Sequence, residues 1–116
     1  MTVQLNKDAL AHARGLIRSG HVVHDERDDW SKDAPSTDDS NRFIEMKGMA
    51  EYAKWHLGED TSEKPENKGR YLFPYGDFSK IHRCAVISGE SRAGQYKHGS
   101  IEDALKELLE LIDKNN

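Results

Sequence analysis

Apolar residues recur every three or four positions in several stretches of this chain, which is the repeat of a helix with one buried face. The best example runs through Phe43, Met46, Ala50, Ala53 and Leu57. A second stripe near the end of the sequence consists of Ile101, Ala104, Leu105, Leu108, Leu109 and Ile112. The spacing predicts a mostly α-helical fold of about four helices.

Capping residues place the ends of the first and last helices. Asn6 is a good N-cap and Gly20 is a good residue just past a helix end, so a helix is predicted between them. The last helix is predicted to follow Ser100. With 116 residues, of which 33% are charged, the chain has apolar residues for one modest core. We therefore expect residues 1–116 to form a single domain.

The second helix is predicted to begin at a capping box that starts at Ser36 and to end at Gly58. Gly48 lies inside this helix, where a break is an alternative because glycine is a poor helix former. The following stretch, 58–69, has no large apolar residue, which predicts a mobile loop.

Two short segments are expected to be extended. Residues 21–24 read His-Val-Val-His, a length that suits only a bridge or an edge strand. Residues 71–74 are rich in aromatic side chains and end in a proline, which favours an extended backbone before it.

The third helix is predicted at about 78–96, with Asp77 as its N-cap. Its small residues allow a neighbouring backbone to come close, which predicts a central position. Two alternatives stay open, namely a short buried strand at 84–87 and a helix break at Gly89.

Cysteine content and hydropathy indicate a compartment. Cys84 is the only cysteine, so an intramolecular disulfide is excluded. No apolar run approaches the roughly 20 residues of a membrane span, and no secretion signal opens the sequence. We expect a cytoplasmic protein without a membrane partner.

The stretch 68–98 carries six basic and two acidic side chains in a chain of net charge −4. Lys80, Arg83 and Lys97 are predicted on the polar face of the third helix, where they can meet an anionic partner such as nucleic acid. Nearby aromatic residues offer stacking surfaces for bases. The more common outcome is that such a stretch pairs with the acidic surface of its own molecule.

Arg92 is predicted in the middle of the apolar face of the third helix, with His82 at its edge. A guanidinium in that position requires a carboxylate or a carbonyl partner, because an unpaired buried charge is costly. One interpretation is an internal ion pair. Another is a pocket for a small anion or phosphate, lined by Arg92 and His82.

The residue types give no specific catalytic or metal-binding motif. His21 and His24 lie beside Asp25, but their spacing matches no zinc pattern. Cys84 lies in an apolar run, where a thiol is expected to be inert. Asp77 is better explained as a helix cap than as an acid catalyst. We expect no catalytic residue, no cofactor and no metal.

Two blocks of the sequence, FIEMKGMAEYAKWHLG and RYLFPYGDFSKIHRCAVISGESRAGQYKH, are familiar together. Over most of its length the chain resembles a family of small, uncharacterised bacterial and archaeal proteins that share such blocks. No activity is associated with that family. Gly89 stands where the family pattern has Ala. The resemblance implies that one set of residues belongs to a common unit: Tyr75, Gly76, Asp77, His82, Arg83, Glu90, Arg92 and Tyr96.

The leading prediction is a non-catalytic binding or adaptor protein of the cytoplasm, with a protein as its expected partner. Its contact surface is expected in the 70–98 block, with the binding residues Asp77, Lys80, His82, Arg83, Arg92 and Lys97. One alternative is a small enzyme or anion sensor that uses His82 and Arg92. A second alternative is a protein that binds single-stranded nucleic acid.

Overall fold

The computed structural model describes residues 2–114, in which helices account for 57% of the residues and strands for 15%. The helices are α1 (Lys7–Arg18), α2 (Trp30–Asp33), α3 (Thr37–Lys47), α4 (Met49–Ala53), α5 (Arg83–Gln95) and α6 (Gly99–Lys114). The strands are β1 (Val3–Leu5), β2 (Val22–Val23), β3 (His56–Asp60), β4 (Tyr71–Pro74) and β5 (Ile81–His82). The helical majority is confirmed, but the fold is mixed α/β. None of these helices is both long and apolar enough to span a membrane.

A three-stranded antiparallel sheet has the order β1-β3-β4, with Gly58 in its middle strand paired with Leu5 and with Leu72. A Cβ atom at Gly58 would lie 2.8 Å from Cδ2 of Phe73 and 3.2 Å from Cδ1 of Ile101. Glycine therefore lets both side chains close onto the strand. The prediction that Gly58 ends a helix and starts a loop is wrong.

The second predicted helix is broken at Gly48, as the alternative allowed. Gly48 has a φ of 93°, which ends α3 and starts α4 in a new direction. The capping box at Ser36 is confirmed, because its hydroxyl and backbone exchange hydrogen bonds with Asp39. After this break α4 ends at Ala53, and Leu57, which was predicted to be helical, lies in β3.

The predicted loop shrinks to the residues between Asp60 and a short 3-10 helix at Lys68–Arg70. Internal hydrogen bonds hold it. Asp60 accepts from the hydroxyl and backbone N–H of Ser62, and the Tyr71 hydroxyl donates to the carbonyl of Pro65.

The third predicted helix begins at Arg83, five residues later than expected, and runs unbroken through Gly89. Asp77 is not its N-cap. The Asp77 carboxylate instead accepts hydrogen bonds from the backbone of Ser79 and Lys80, which closes a turn. Phe78 in that turn has a φ of 69°, which is incompatible with a helix. The alternative of a strand at 84–87 is also wrong.

The core lies between α1, α5, α6 and the three-stranded sheet. Its largest fully buried side chain is Tyr75, whose hydroxyl contacts the carbonyl of Lys54 at 2.5 Å and Nδ1 of His12 at 2.7 Å. The buried hydroxyl is thus satisfied, as burial of a tyrosine requires.

Candidate functional site

A second, two-stranded sheet places His82 beside a distant part of the chain. β2 and β5 pair in parallel, with Val22 opposite Ile81 and Val23 opposite His82. The chain continues from β2 into Asp25, which therefore lies next to the start of α5, where Cys84 is located. The expected extended segment at 21–24 thus exists, and its position determines what surrounds His82.

His82 lies between two carboxylates. Its Nδ1 atom is 2.7 Å from Oδ2 of Asp25, and its Nε2 atom is 2.7 Å from Oδ2 of Asp77. The thiol of Cys84 is 2.9 Å from the same Asp25 oxygen, and Oδ2 of Asp33 is 3.9 Å from the His82 Nδ1. We call these five residues the His82 cluster. The side chains of His82 and Asp25 are only 6% and 7% exposed.

Backbone groups orient both carboxylates that contact His82. The N–H of Cys84 donates to Oδ1 of Asp25 at 2.8 Å, so the other oxygen faces His82 and the thiol. The N–H groups of Ser79 and Lys80 donate to Oδ1 of Asp77, which directs its Oδ2 toward His82 in the same way. Backbone hydrogen bonds therefore fix the carboxylates on both sides of the His82 ring.

These contacts shift the protonation equilibria of the His82 cluster. Burial by itself raises the pKa of Asp25, but hydrogen bonds from Cys84 and His82 outweigh it and hold this pKa at about 2. Burial lowers the pKa of His82, whereas the hydrogen bonds to Asp77 and Asp25 raise it above its ordinary value. Burial and the contact with Asp25 raise the pKa of Cys84, which therefore stays a thiol. A hydrogen bond with Asp25 raises the pKa of Asp33.

Two members of the His82 cluster reach an open cleft of about 460 Å³. Asp33 and Asp77 line this cleft, and their side chains are 35% and 33% exposed. The lining also includes Phe43, which stacks on Phe78 with ring centroids 4.4 Å apart, and the charged residues Lys32, Asp39 and Arg42. Water and small solutes thus have access to one edge of an otherwise buried cluster.

The other end of α5 contributes to a separate groove of about 260 Å³. We call it the Arg92 groove, and its walls are Val3, Leu72, Phe73, Arg92, Tyr96 and His98. Arg92 is exposed and has no side-chain hydrogen bond or ion pair to any residue in 2–114. The Tyr96 ring is 62% exposed, and Phe73 adopts a φ of 60° to cover Gly58. Arg92 is therefore not in the buried face where the sequence placed it.

The structure separates the predicted binding residues. Asp77 and His82 are in contact, but His82 precedes the first turn of α5 and Arg92 lies in its last turn, about 15 Å away at 1.5 Å per residue. Arg83 forms an ion pair with Asp113 at 2.8 Å. Lys80 and Lys97 are exposed, and neither side chain is paired with another described residue.

The aromatic residues considered for stacking on bases are mostly buried or packed against other residues. Tyr75 is fully buried, Tyr71 packs edge-on against Tyr52, and Phe73 covers Gly58. The alternative that the basic stretch pairs internally is confirmed for Arg70, which contacts Glu59 at 3.3 Å, and for Arg83.

Sequence reasoning missed Asp25, Asp33 and Cys84 as partners of His82. Asp25 was considered beside His21 and His24 and, with the other aspartates of 25–29, as a partner of Arg92, but none of His21, His24 and Arg92 contacts it in the cluster. The missing signal was the pairing of β2 with β5, which joins segments more than fifty residues apart. Two strands of two residues each leave too short a pattern to find in a sequence.

No family model, no curated protein and no solved structure shows significant similarity to this chain, so the family resemblance described above stays a prediction.

Proposed function

We propose that this protein is a non-catalytic binding protein whose contact surface lies in the 70–98 block. Its ligand is a carboxylate attached to an apolar group, received in the Arg92 groove. One observation carries the proposal: Arg92 presents an unpaired guanidinium at the edge of an apolar floor. We place this activity in the cytoplasm, where reducing conditions keep Cys84 a thiol.

The contrast with other arginines supports a role for Arg92 in recognition. Arg14, Arg70 and Arg83 each contact a carboxylate of this chain, at Glu107, Glu59 and Asp113. Arg92 has no such partner within residues 2–114, and neither do Arg18, Arg27 and Arg42. Of these four arginines, Arg92 is the one that lines the Arg92 groove. A guanidinium binds a carboxylate through two parallel hydrogen bonds, which gives geometric specificity as well as energy.

The floor of the Arg92 groove supports the apolar half of the ligand. Val3, Leu72 and Phe73 supply aliphatic and aromatic surface, and the exposed Tyr96 ring adds an edge. A volume of about 260 Å³ accommodates a group the size of one aromatic ring with a short chain. The six groove residues include no carboxylate, thiol or aliphatic hydroxyl, and the proposal assigns no reaction to them.

Such a ligand has two possible sources, a free organic acid or the C-terminal carboxylate of a protein partner with an apolar last residue. Both present the same chemistry to Arg92. An exposed site of modest volume suits the end of a chain as well as a small molecule.

A titration followed by NMR of the ¹⁵N-labelled protein tests the proposal. Phenylacetate is one probe and phenylacetamide, which has the same shape without the charge, is its control. A short peptide ending in Phe, with a free or an amidated C-terminus, distinguishes the second source. We expect only the acids to shift the amide signals of residues 72–73 and 92–98.

Arg92→Gln is expected to weaken binding of the acids about 10-fold or more, since a hydrogen bond to a charged group contributes roughly 1.5–3 kcal/mol. Arg18→Gln is the matched control, because Arg18 is an exposed arginine on α1 that does not line the groove. The proposal fails if amides bind as well as acids, or if Arg18→Gln has the same effect as Arg92→Gln.

The two alternative functions receive less support. An enzyme or sensor that uses His82 and Arg92 together requires a shared site, whereas these residues occupy opposite ends of α5. A nucleic-acid-binding surface requires free cations and free rings, whereas Arg70 and Arg83 are paired and Tyr75 is buried.

A further inference from the structure

Four members of the His82 cluster are metal-ligating side chains that lie close together. The donor atoms of Asp25, Asp33, His82 and Cys84 all lie within 4.8 Å of one another. Ligands of a tetrahedral zinc ion are roughly 3.3–3.7 Å apart, as bond lengths of about 2.0–2.3 Å require. The shortest separations in the cluster are 2.7 and 2.9 Å and its widest is below 4.8 Å. Zinc binding therefore requires side-chain rotations that widen the shortest separations and close the widest one.

We propose that Asp25, Asp33, His82 and Cys84 form a binding site for one zinc ion. The ligand atoms are a carboxylate oxygen from each aspartate, Nδ1 of His82 and the sulfur of Cys84. Sulfur and imidazole donors favour zinc over magnesium or calcium, which prefer oxygen alone. On binding, the Cys84 thiol and the His82 Nδ1 release any proton they carry to solvent.

Asp77 supports this assignment, because it occupies the position of an outer carboxylate. Metal-bound histidines usually donate their second ring N–H to a carboxylate, which fixes the tautomer. Oδ2 of Asp77 is 2.7 Å from Nε2 of His82, and backbone groups of the turn hold its other oxygen. A proton on Nε2 leaves the lone pair of Nδ1 directed at the other three ligands.

The charge of the site also favours a cation. Asp25, Asp33 and Asp77 surround His82, which carries at most one positive charge. Asp29 is close enough to influence Cys84 as well. A divalent ion neutralises this excess of negative charge, and the buried position makes its effect strong.

Asp33 provides the route by which an ion enters. It is the exposed member of the set and lines the cleft of about 460 Å³. It also belongs to α2, a helix of only four residues. An ion from solvent meets Asp33 first and then the three buried ligands.

The test uses the full chain, freed of metal with EDTA and then titrated with ZnCl2 in a calorimeter. We expect one zinc ion per chain. Titration with CoCl2 gives a second readout, a thiolate-to-cobalt charge-transfer absorption. Cys84 is the only cysteine, so this absorption reports on one known atom.

Two variants assign the ligands. Asp33→Asn, at the most exposed of the four ligands, is expected to weaken zinc binding at least 10-fold, whereas its matched control Asp28→Asn leaves the affinity unchanged. Cys84→Ser is expected to abolish the cobalt absorption. His24→Asn is expected to leave it intact, because His24 lies outside the cluster.

The inference is overturned if zinc does not bind in a 1:1 ratio at micromolar concentration, if the cobalt complex shows no thiolate absorption, or if Asp33→Asn binds as tightly as the parent. The last outcome excludes Asp33 as a ligand and overturns the four-residue site. The Arg92 groove is independent of this site and is measured in EDTA, so failure of one proposal leaves the other standing.

Discussion

The two ends of α5 differ in what surrounds their polar side chains. At its start, every polar group of the His82 cluster has a partner inside the fold, and His82 and Asp25 are almost completely buried. At its end, Arg92 and Tyr96 face solvent, and Arg92 has no partner within residues 2–114. One helix therefore connects a mostly buried region, in which the polar groups are paired with one another, to an exposed region with an unpaired arginine.

The difference indicates which region maintains the fold and which is available for recognition. A buried carboxylate that satisfies a thiol, an imidazole and a backbone N–H cannot be removed without leaving these donors unpaired. An exposed guanidinium without a partner can be removed at little cost to stability. The comparison therefore predicts opposite effects of substitutions at the two ends of α5.

Asp25→Ala is expected to produce the largest effect. In EDTA, it leaves His82 and the N–H of Cys84 without their buried acceptor, and breaking a buried pair costs about 3–5 kcal/mol. Arg92→Gln is expected to change the free energy of unfolding by less than about 0.5 kcal/mol. Urea unfolding followed by circular dichroism measures both.

Asp28→Ala is the control for Asp25→Ala, because Asp28 is an exposed aspartate in the same loop. The comparison breaks down if Asp25→Ala and Asp28→Ala have equal effects, or if Arg92→Gln destabilises as strongly as Asp25→Ala. Equal effects would show that the contacts of Asp25 do not stabilise the fold. Strong destabilisation by Arg92→Gln would show that Arg92 stabilises the fold although it has no partner within residues 2–114.

Acidification is expected to have the second-largest effect, and it involves a third location. Burial lowers the pKa of His56 to about 4, and its Nδ1 atom lies 2.9 Å from the carbonyl of Tyr52. The unfolded chain binds a proton at His56 near pH 6.5, whereas the folded chain does not. Stability is therefore lost as the pH falls from 6.5 to 4, by roughly 3 kcal/mol.

His56→Gln tests this assignment, since an amide donates to the Tyr52 carbonyl but does not titrate between pH 4 and 6.5. We expect His56→Gln to abolish most of the loss of stability between pH 6.5 and pH 4, as measured by urea unfolding at several pH values. His12, whose pKa burial also lowers, accounts for the remainder. If the free energy of unfolding of His56→Gln falls with decreasing pH as steeply as that of the parent, the prediction is wrong. Asp25, with a folded pKa of about 2, keeps its charge throughout this range.

Much of the helical architecture was predictable, because it depends on local signals. The caps at Asn6 and Ser36, the glycine past the first helix and the stripe of α6 appear as expected. Each signal acts over four or five residues, so neighbouring sequence contains the information that determines it.

The extended segments at 21–24 and 71–74 were predicted and contain strands, but β3, the pairing of the strands and the His82 cluster were not predictable, because distant residues determine them. β3 contains Gly58 and two carboxylates, a composition typical of a loop, and it becomes a strand through pairing on both sides with β1 and β4. Asp77 has the sequence signature of a helix cap, and only the contact with His82 shows where its second oxygen points. Tertiary contacts here override local preference.

A smaller change in the free energy of unfolding is expected from the backbone at the end of α5. Lys97 has a φ of 61°, and the N–H groups of Lys97 and His98 donate to the carbonyls of Gly94 and Ala93. This is a common helix ending that normally uses glycine. Lys97→Gly is expected to stabilise the protein by about 0.5–1 kcal/mol, since it removes strain of a left-handed side-chain-bearing residue. Thermal unfolding measures the gain.

Gly20 gives the reciprocal control, because α1 ends in the same way. Its φ is 81°, the N–H groups of Gly20 and His21 donate to Ile17 and Leu16, and an added Cβ would meet no atom within 4 Å. Gly20→Ala therefore isolates the backbone cost and should destabilise by a similar amount. Lys97→Gly should also leave phenylacetate binding unchanged, since Lys97 does not line the Arg92 groove. Loss of binding without loss of stability would instead show that Lys97 is part of the recognition surface at the open end of α5.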